Sequence, residues 1–236
     1  MKIIRESSFI SEIESGYPIL WPFSIEIKNG ILTAKVSKEL ADKIDFISDM
    51  TEAELSTTDV IDKLIALIEN EVEKNGYEIN YGKNRIYKMT RREDVNKSLI
   101  LDSSEALLPD GEYDCMIDVD VDALEAGCLA FATVIDGTIV SIASENPYRE
   151  DENVVNIGVE TAEEYKKKGY GASNVAALTY YLLDTGMTVE YTVDNENEVS
   201  IRLAEKVGFK LDRFVLNIFA HKQEYPAAYK KRGTYL

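Results

Sequence analysis

Cysteine is scarce in this 236-residue chain, which holds only Cys115 and Cys128. Two thiols cannot build a four-cysteine zinc site or a dense disulfide framework. Cys128 lies in the apolar run CLAFATVI and reads as a small buried hydrophobe rather than a reactive thiol. Histidine is scarcer still. His221 stands alone, with no metal cluster around it, so a packing or surface role is expected and no metal site. Positive charge is in deficit: 26 Lys and Arg face 43 Asp and Glu, for a formal net charge of -17. Such a field opposes nucleic acid and anionic membrane surfaces as main partners. It suits a cationic partner, although solubility alone also accounts for it. No apolar run is long enough to span a bilayer, and the opening MKIIRESSFISEIE lacks an apolar signal core. The expected location is cytoplasmic.

What remains is an ordinary globular composition, 45% hydrophobic and 29% charged, able to bury a core without staples. Near the N-terminus, Gly16-Tyr17-Pro18 and Trp21-Pro22 interrupt regular structure. SIEIKNGILTAKV then reads as a hairpin turning at Asn29-Gly30. A short helix is expected over Lys38–Asp49. A second is expected from about Thr58 to Lys74, with Ile61, Leu64, Leu67, Ile68 and Val72 at helical spacing and Asn75-Gly76 as its stop. Nothing in the first 80 residues carries a chemical signature.

A new unit is expected from about Asn84, dividing the chain into an α+β domain at 1–84 and a second domain at 85–236. RIYKMTRREDVNKSLIL suggests a short strand and a helix capped by Thr90, with Glu93 three positions on. After an irregular stretch around Pro109-Asp110-Gly111, CLAFATVI and TIVSIAS form strands about the turn Asp136-Gly137, and VVNIGVE a further strand.

The chemistry is concentrated in Val154–Phe209. After the strand come Lys166, Lys167, Lys168, Gly169, Tyr170, Gly171 and Ala172, then the helical run SNVAALTYYLLD. Two glycines permit a tight turn and leave peptide N–H groups exposed at a helix start, where they can hold a pyrophosphate; lysines add attraction for phosphate. A solvated helix start with incidental lysines is the plainer reading of KKKGYG. The spacing fits neither a Walker loop nor a dinucleotide fingerprint. Downstream, TVEYTV reads as a strand. Asp194, Asn195 and Asn197 can cap a short helix whose apolar side is Ile201, Leu203, Ala204 and Val207, ended by Gly208-Phe209. Capping and hydrogen bonding to a bound cofactor are both open to Asn195 and Asn197.

Together these segments resemble the GCN5-related N-acetyltransferase superfamily. Its Arg/Gln-x-x-Gly-x-Gly/Ala pattern is matched by Lys166–Gly171, with lysine first. Its Asn-x-x-Ser/Ala-x-x-Leu pattern, followed by Gly-Phe, is matched by Asn197–Leu203 and Gly208-Phe209. The resemblance covers about residues 85–220. A looser similarity of IGVETAEEYKKKGYGASNVAAL points to acetyltransferases of antibiotic self-resistance.

The resemblance implies an α/β (α+β) fold: a mixed, mostly antiparallel sheet flanked by helices, whose central parallel strands splay apart to admit the pantetheine arm of acetyl-coenzyme A. Main-chain groups of Val159 and Thr161 would pair with the pantetheine amides. The Lys166–Ala172 segment would take the pyrophosphate, and Asn197 and Ser200 would approach the arm from the other side. The reaction implied is direct attack of a neutral amine on the acetyl thioester, with a main-chain amide near Val159 as oxyanion donor. Glu160 is the first candidate base and Glu145 the second; strand alternation alone does not decide which faces the cleft. Ala204 stands where many members carry a tyrosine able to protonate the leaving thiolate, and Tyr170, Tyr191 or solvent could substitute. The acceptor expected is a small-molecule amine or a peptide, with cationic character favoured. The tail after LNIFA leaves room for a homodimer. The rival reading is an acyl-coenzyme A-binding regulatory module of weak activity.

Overall fold

The computed structural model describes residues 1–107, 114–147, 149 and 151–222. The stretch around Pro109-Asp110-Gly111 and the tail beyond Lys222 lie outside the described residues. In chain order the elements are β1 (Lys2–Glu6), α1 (Phe9–Glu14), β2 (Ile19–Lys28), β3 (Ile31–Ser37), α2 (Glu52–Leu55), α3 (Thr58–Ala66), α4 (Glu69–Glu73) and β4 (Tyr77–Met89). There follow β5 (Ser104–Ala106), β6 (Asp114–Cys115), α5 (Val121–Glu125), β7 (Ala130–Ile135), β8 (Thr138–Glu145) and β9 (Val154–Thr161). The last are α6 (Tyr170–Asp184), β10 (Thr188–Asp194), α7 (Glu198–Val207) and β11 (Lys210–Lys222).

The chain packs as two units. Among the described residues, one takes Met1–Arg85 with residues 212–222, and the other takes Ile86–Leu211. In the first unit the strand order is β1-β3-β2-β11-β4. The β2–β3 hairpin turns at Asn29, whose φ of 51° matches a tight hairpin turn. Phe23, Ile25, Ala34 and Val36 alternate inward and meet Ile61, Leu64 and Val72 from the helices and Ile68 from the break between them.

Three expected helices are corrected. Lys38–Asp49 holds two 3-10 turns, Ala41–Lys43 and Asp45–Ile47, because Leu40 offers no side-chain cap and Ile44 leaves helical geometry between them. Thr58–Lys74 is broken into α3 and α4 at Ile68, whose φ of -122° lies outside the helix and lets its side chain reach the core. The strand before Thr90 is long rather than short, and no α-helix follows it. Arg91 is extended, and only 3-10 turns at Arg92–Asp94 and Lys97–Leu99 form. The Asn96 N–H bonds the Val207 carbonyl at 2.8 Å, tying this stretch to the end of α7 instead.

The second unit has strand order β4-β10-β9-β8-β7-β5, with β6 beside β8. The β5–β7, β7–β8 and β8–β9 pairs are antiparallel, whereas β9–β10 and β6–β8 are parallel. The expected mixed, mostly antiparallel α/β architecture is present. Val155 and Ile157 of β9 and Val189, Tyr191 and Val193 of β10 pack with Val175, Leu178 and Leu182 of α6 and with Ile201, Ala204 and Val207 of α7. A smaller cluster that includes Ile139, Ile142, Ala130, Ala132 and Leu124 forms separately. The unit ends at Leu211, whereas the sequence-based division ran the second domain to residue 236. Phe214, Leu216 and Ile218 of β11 belong to the core of the first unit. Among the described residues no helix is long and apolar enough to cross a membrane.

Candidate active site

The two parallel strands β9 and β10 part company midway. Four residue pairs join them, from Val154 beside Thr188 to Ile157 beside Tyr191. Beyond these, among the described residues, Gly158–Thr161 pairs only with β8. The ladder fixes which groups are left over. The Asn146 N–H bonds the Asn156 carbonyl at 2.8 Å and the Ala162 N–H bonds the Val140 carbonyl at 2.9 Å, so even-numbered residues of β9 address β8. Antiparallel alternation then turns the main-chain groups of Val159 and Thr161 to the opposite edge, into the opening towards β10.

The lysine–glycine segment leads into α6 beside this edge. A 3-10 turn at Glu163–Tyr165 precedes it. Lys167 (φ 63°) and Gly169 (φ 92°) then take left-handed conformations, reversing the chain within three residues. Gly169 is the N-cap and has no side chain to satisfy the first turn, and the first helical bond runs from Ser173 N–H to its carbonyl at 2.9 Å. The peptide N–H groups of Tyr170, Gly171 and Ala172 therefore have no partner within the helix and sit at its positive end. A Cβ on Gly171 would lie 3.0 Å from Thr161 Oγ1 and 3.4 Å from Val159 Cγ2, so the helix start and the open edge of β9 are in direct contact.

The lysines differ. Lys166 Nζ bonds the Glu163 carboxylate at 2.5 Å, and that hydrogen bond holds the Glu163 carboxyl below its ordinary range. Lys168 Nζ lies 4.4 Å from the centre of the Tyr165 ring, and Tyr165 and Tyr170 are tilted rings 6.4 Å apart. Lys167 is exposed at the turn itself.

On the other side, Asn197 is the N-cap of α7. Its Oδ1 accepts the Ser200 N–H at 3.1 Å, a use that leaves the amide Nδ2 able to donate elsewhere. Asn195 does not cap. Gly208 ends α7 at φ 116°, where any Cβ would collide with the Asp94 carbonyl oxygen. Ala204 is fully buried on the inner side of α7, in the cluster that also holds Val193, Ile201 and Val207. Leu203 approaches Gly171 from the same helix.

The two candidate carboxylates fall on opposite faces of the sheet. Glu160 pairs with Ile142 and is exposed on the face away from α6. Glu145 pairs with Ile157 on the α6 face, is buried, and bonds Arg149 at 2.9 Å. The structure thus brings Val159, Thr161, Gly171 and Leu203 together, and does not bring Glu145 together with Glu160. A carboxylate missed in the sequence is Glu190 of β10, 7% exposed, beside Asn156 on the same face as Glu160 and 4.0 Å from Lys88. Its signal was an acidic residue at a buried position of TVEYTV. Next to it Asn156 Nδ2 donates to Thr192 Oγ1 at 2.5 Å. Burial, with the Glu145 carboxylate adding, pushes the Cys128 thiol up, away from the thiolate a nucleophile needs. His221 meets Asn80 at 2.9 Å in the first unit, and the depression lined by Glu73, Tyr77 and Asn80 there holds none of the candidate residues.

A family model described as GNAT acetyltransferase matches residues 38–214. The chain belongs to the GNAT acetyltransferase family. The match begins well before the motif-bearing segment and so takes in much of the first unit. Among curated proteins none matches significantly. Solved structures resemble it at low identity. A GCN5-related N-acetyltransferase-like protein from Streptococcus suis is 21% identical over 70% of this chain and 69% of its own, with a TM-score of 0.46. A GCN5-related N-acetyltransferase from Kribbella flavida is 12% identical over 76% and 79%, with a TM-score of 0.41. Membership in the GNAT family makes this protein an acyltransferase in class.

Proposed function

We propose that this GNAT protein is an acetyl-coenzyme A-dependent N-acetyltransferase acting on a primary amine of a small molecule or peptide. The observation that carries the reading is the parting of β9 and β10 after Ile157 and Tyr191, with a free peptide edge on one side and uncapped amides of α6 at its end. The residues fit such a co-substrate. Val159 and Thr161 offer main-chain donors and acceptors in a line, as two amides of an extended arm require. Tyr170, Gly171 and Ala172 offer converging N–H groups, as a diphosphate requires. Lys167, exposed at the turn, and Lys168, over the Tyr165 ring, add positive charge there, with Lys166 shared with Glu163; Asn197 and Ser200 would approach the arm from α7.

The bound thioester supplies an activated acetyl group. A main-chain amide near Val159, on a strand that the β8 ladder holds, would stabilise oxyanion character on the carbonyl without reorganising. Glu160 takes the proton the amine loses, directly or through an ordered water. As nitrogen bonds the carbonyl carbon, the carbon–sulfur bond breaks and the electron pair leaves on sulfur. A thiol ionises at about pH 8.5, so departure does not demand the acid that Ala204 lacks. Glu160 is exposed on the face it shares with Glu190, which Lys88 accompanies, and the Glu160 charge favours a cationic acceptor there. Glu145, tied to Arg149, stabilises the strand end.

The test follows release of free coenzyme A from acetyl-coenzyme A across a panel of amines. Amine-dependent release is expected, and Glu160→Gln should lower turnover by roughly 100-fold with cofactor affinity nearly intact. Saturable cofactor binding with no amine-dependent release in the wild type would instead support the regulatory-module reading, which the buried Ala204 favours. Unchanged turnover of E160Q at several pH values would remove Glu160 from the role of base.

A further inference from the structure

The core of the second unit contains a chain of polar contacts, returned to its starting helix by one close steric approach, that the proposed chemistry does not use. Asn174 is fully buried in α6, an unusual place for an amide. Its Nδ2 donates to the Ser141 carbonyl at 3.1 Å, and its Oδ1 accepts from Thr133 Oγ1 at 3.3 Å and from Ser104 Oγ. The Ser141 carbonyl lies next to the register shift between Thr133 and Val134, where the β7–β8 ladder is interrupted. From Ser141 the contacts continue outward. Its hydroxyl donates to the Glu160 carbonyl at 3.2 Å and lies 2.8 Å from Thr161 Oγ1. With the Ser141 proton committed to Glu160, Thr161 is the donor between the two hydroxyls. Thr161 Oγ1 in turn sits against Gly171, at 3.0 Å from where a Cβ would be. Gly171 and Asn174 are three residues apart and share one face of α6, which brings the contacts back to their starting helix.

We infer that the Ser141–Thr161 hydroxyl pair, beside the Ser141 carbonyl that Asn174 grips, is a positioning device that sets the distance between the open edge of β9 and the amide cluster at the start of α6. The inference rests on the cofactor reading above and adds how that site is held together. A ligand gripped at two points needs those points at a fixed spacing, and a misplacement of about 1 Å is enough to cost two orders of magnitude in such systems. Backbone ladders fix β9 against β8 but not α6 against β9. Apolar packing of Val175, Leu178 and Leu182 on Val155 and Ile157 seats the body of α6, and at the helix start the Thr161 hydroxyl, oriented by Ser141, sets how closely Gly171 approaches β9. An apolar residue at Ser141 would fill the space yet let the helix start drift relative to the strand. Ser141, Thr161 and Asn174 are thus positioning residues for the binding of a ligand that spans both points.

The experiment compares coenzyme A, which reaches both points, with pantetheine, which lacks the diphosphate and reaches only the strand. Coenzyme A is titrated by calorimetry and pantetheine by NMR shift changes on the full chain. Ser141→Ala is expected to weaken coenzyme A about tenfold and pantetheine less than twofold. Thr161→Val should match it for coenzyme A, the double variant should be no worse than either single one, and Thr161→Ser should restore affinity. If S141A does not fold, T161V makes the same comparison. Equal weakening of both ligands would mean general loosening of the unit and would overturn the inference, as would wild-type coenzyme A affinity in folded S141A and T161V. Wild-type protein that binds no coenzyme A would overturn the functional reading together with the inference.

Discussion

At the scale of single residues, the site depends on backbone conformations that few side chains tolerate. Gly169 sits at φ 92° with nothing within 4 Å of a would-be Cβ, so a substituent there has room and meets only conformational cost. Gly169→Val should therefore cost about 1–2 kcal/mol of stability through its backbone. It should weaken coenzyme A by at least tenfold, because the amides of Tyr170 and Gly171 swing away. Thermal melts and calorimetry on one sample check both numbers; a folded variant of unchanged affinity would remove the phosphate role from this turn. The glycines were legible in the sequence because only this residue type relaxes such a turn. The carboxylates were not. Glu145 and Glu160 lie on one antiparallel strand pair, and which face each occupies depends on the register of β8 against β9, which no residue in either strand announces.

At the scale of elements, α7 shows how one side chain can serve folding and binding at once. Asn197 Oδ1 closes the first turn through Ser200 N–H, while its Nδ2 remains available. Asn197→Asp should keep the cap and the helix but lose the donor. Asn197→Ala should lose both, at about 1 kcal/mol of stability. Measured against coenzyme A, both variants should bind more weakly, with only the alanine variant melting earlier; normal binding by N197D would confine Asn197 to capping. This helix, α6 and β7 to β10 were readable from periodicity and turn residues. The misread elements were those whose ends have no local signature. Leu40 and Arg91 provide no side-chain cap, and Ile68 bends a run whose apolar spacing looks continuous.

At the scale of the whole molecule, the chain leaves the first unit along β4 and returns to it along β11. The return has a cost for dissection. Residues 85–236 expressed alone would carry Phe214, Leu216 and Ile218 of β11 without β2, their neighbour in the ladder, or the core they enter. Such a fragment should aggregate or bind hydrophobic dye, as sedimentation and dye fluorescence would show; a soluble monomer that binds coenzyme A would contradict this. The return is also charged. Burial alone would raise the Asp212 carboxyl, but hydrogen bonds from Lys28 at 2.8 Å and from Arg213 outweigh it and hold it below the ordinary range. A lowered folded value means the contribution is present above the unfolded value, about pH 3.9, and is lost as pH falls through the folded one. Asp212→Asn should thus cost roughly 0.5–1 kcal/mol at pH 7, allowing for the half-exposed lysine, with the difference from wild type vanishing near the acid limit of folding. A difference independent of pH in denaturant titrations would show that packing, not charge, is responsible.

The sequence alone determined the local chemistry of the Lys166–Ala172 turn, the cap and stop of α7, the hairpins and the mixed α/β class, because each rests on contacts among residues a few positions apart. Only the tertiary structure decided that Val159 and Thr161 turn their peptide groups into the opening, that Glu190 lies on the same face as Glu160, and that Ser141 and Asn174 meet. Those relations depend on strand register and on where β9 and β10 stop pairing, which are set by packing between segments far apart in the chain.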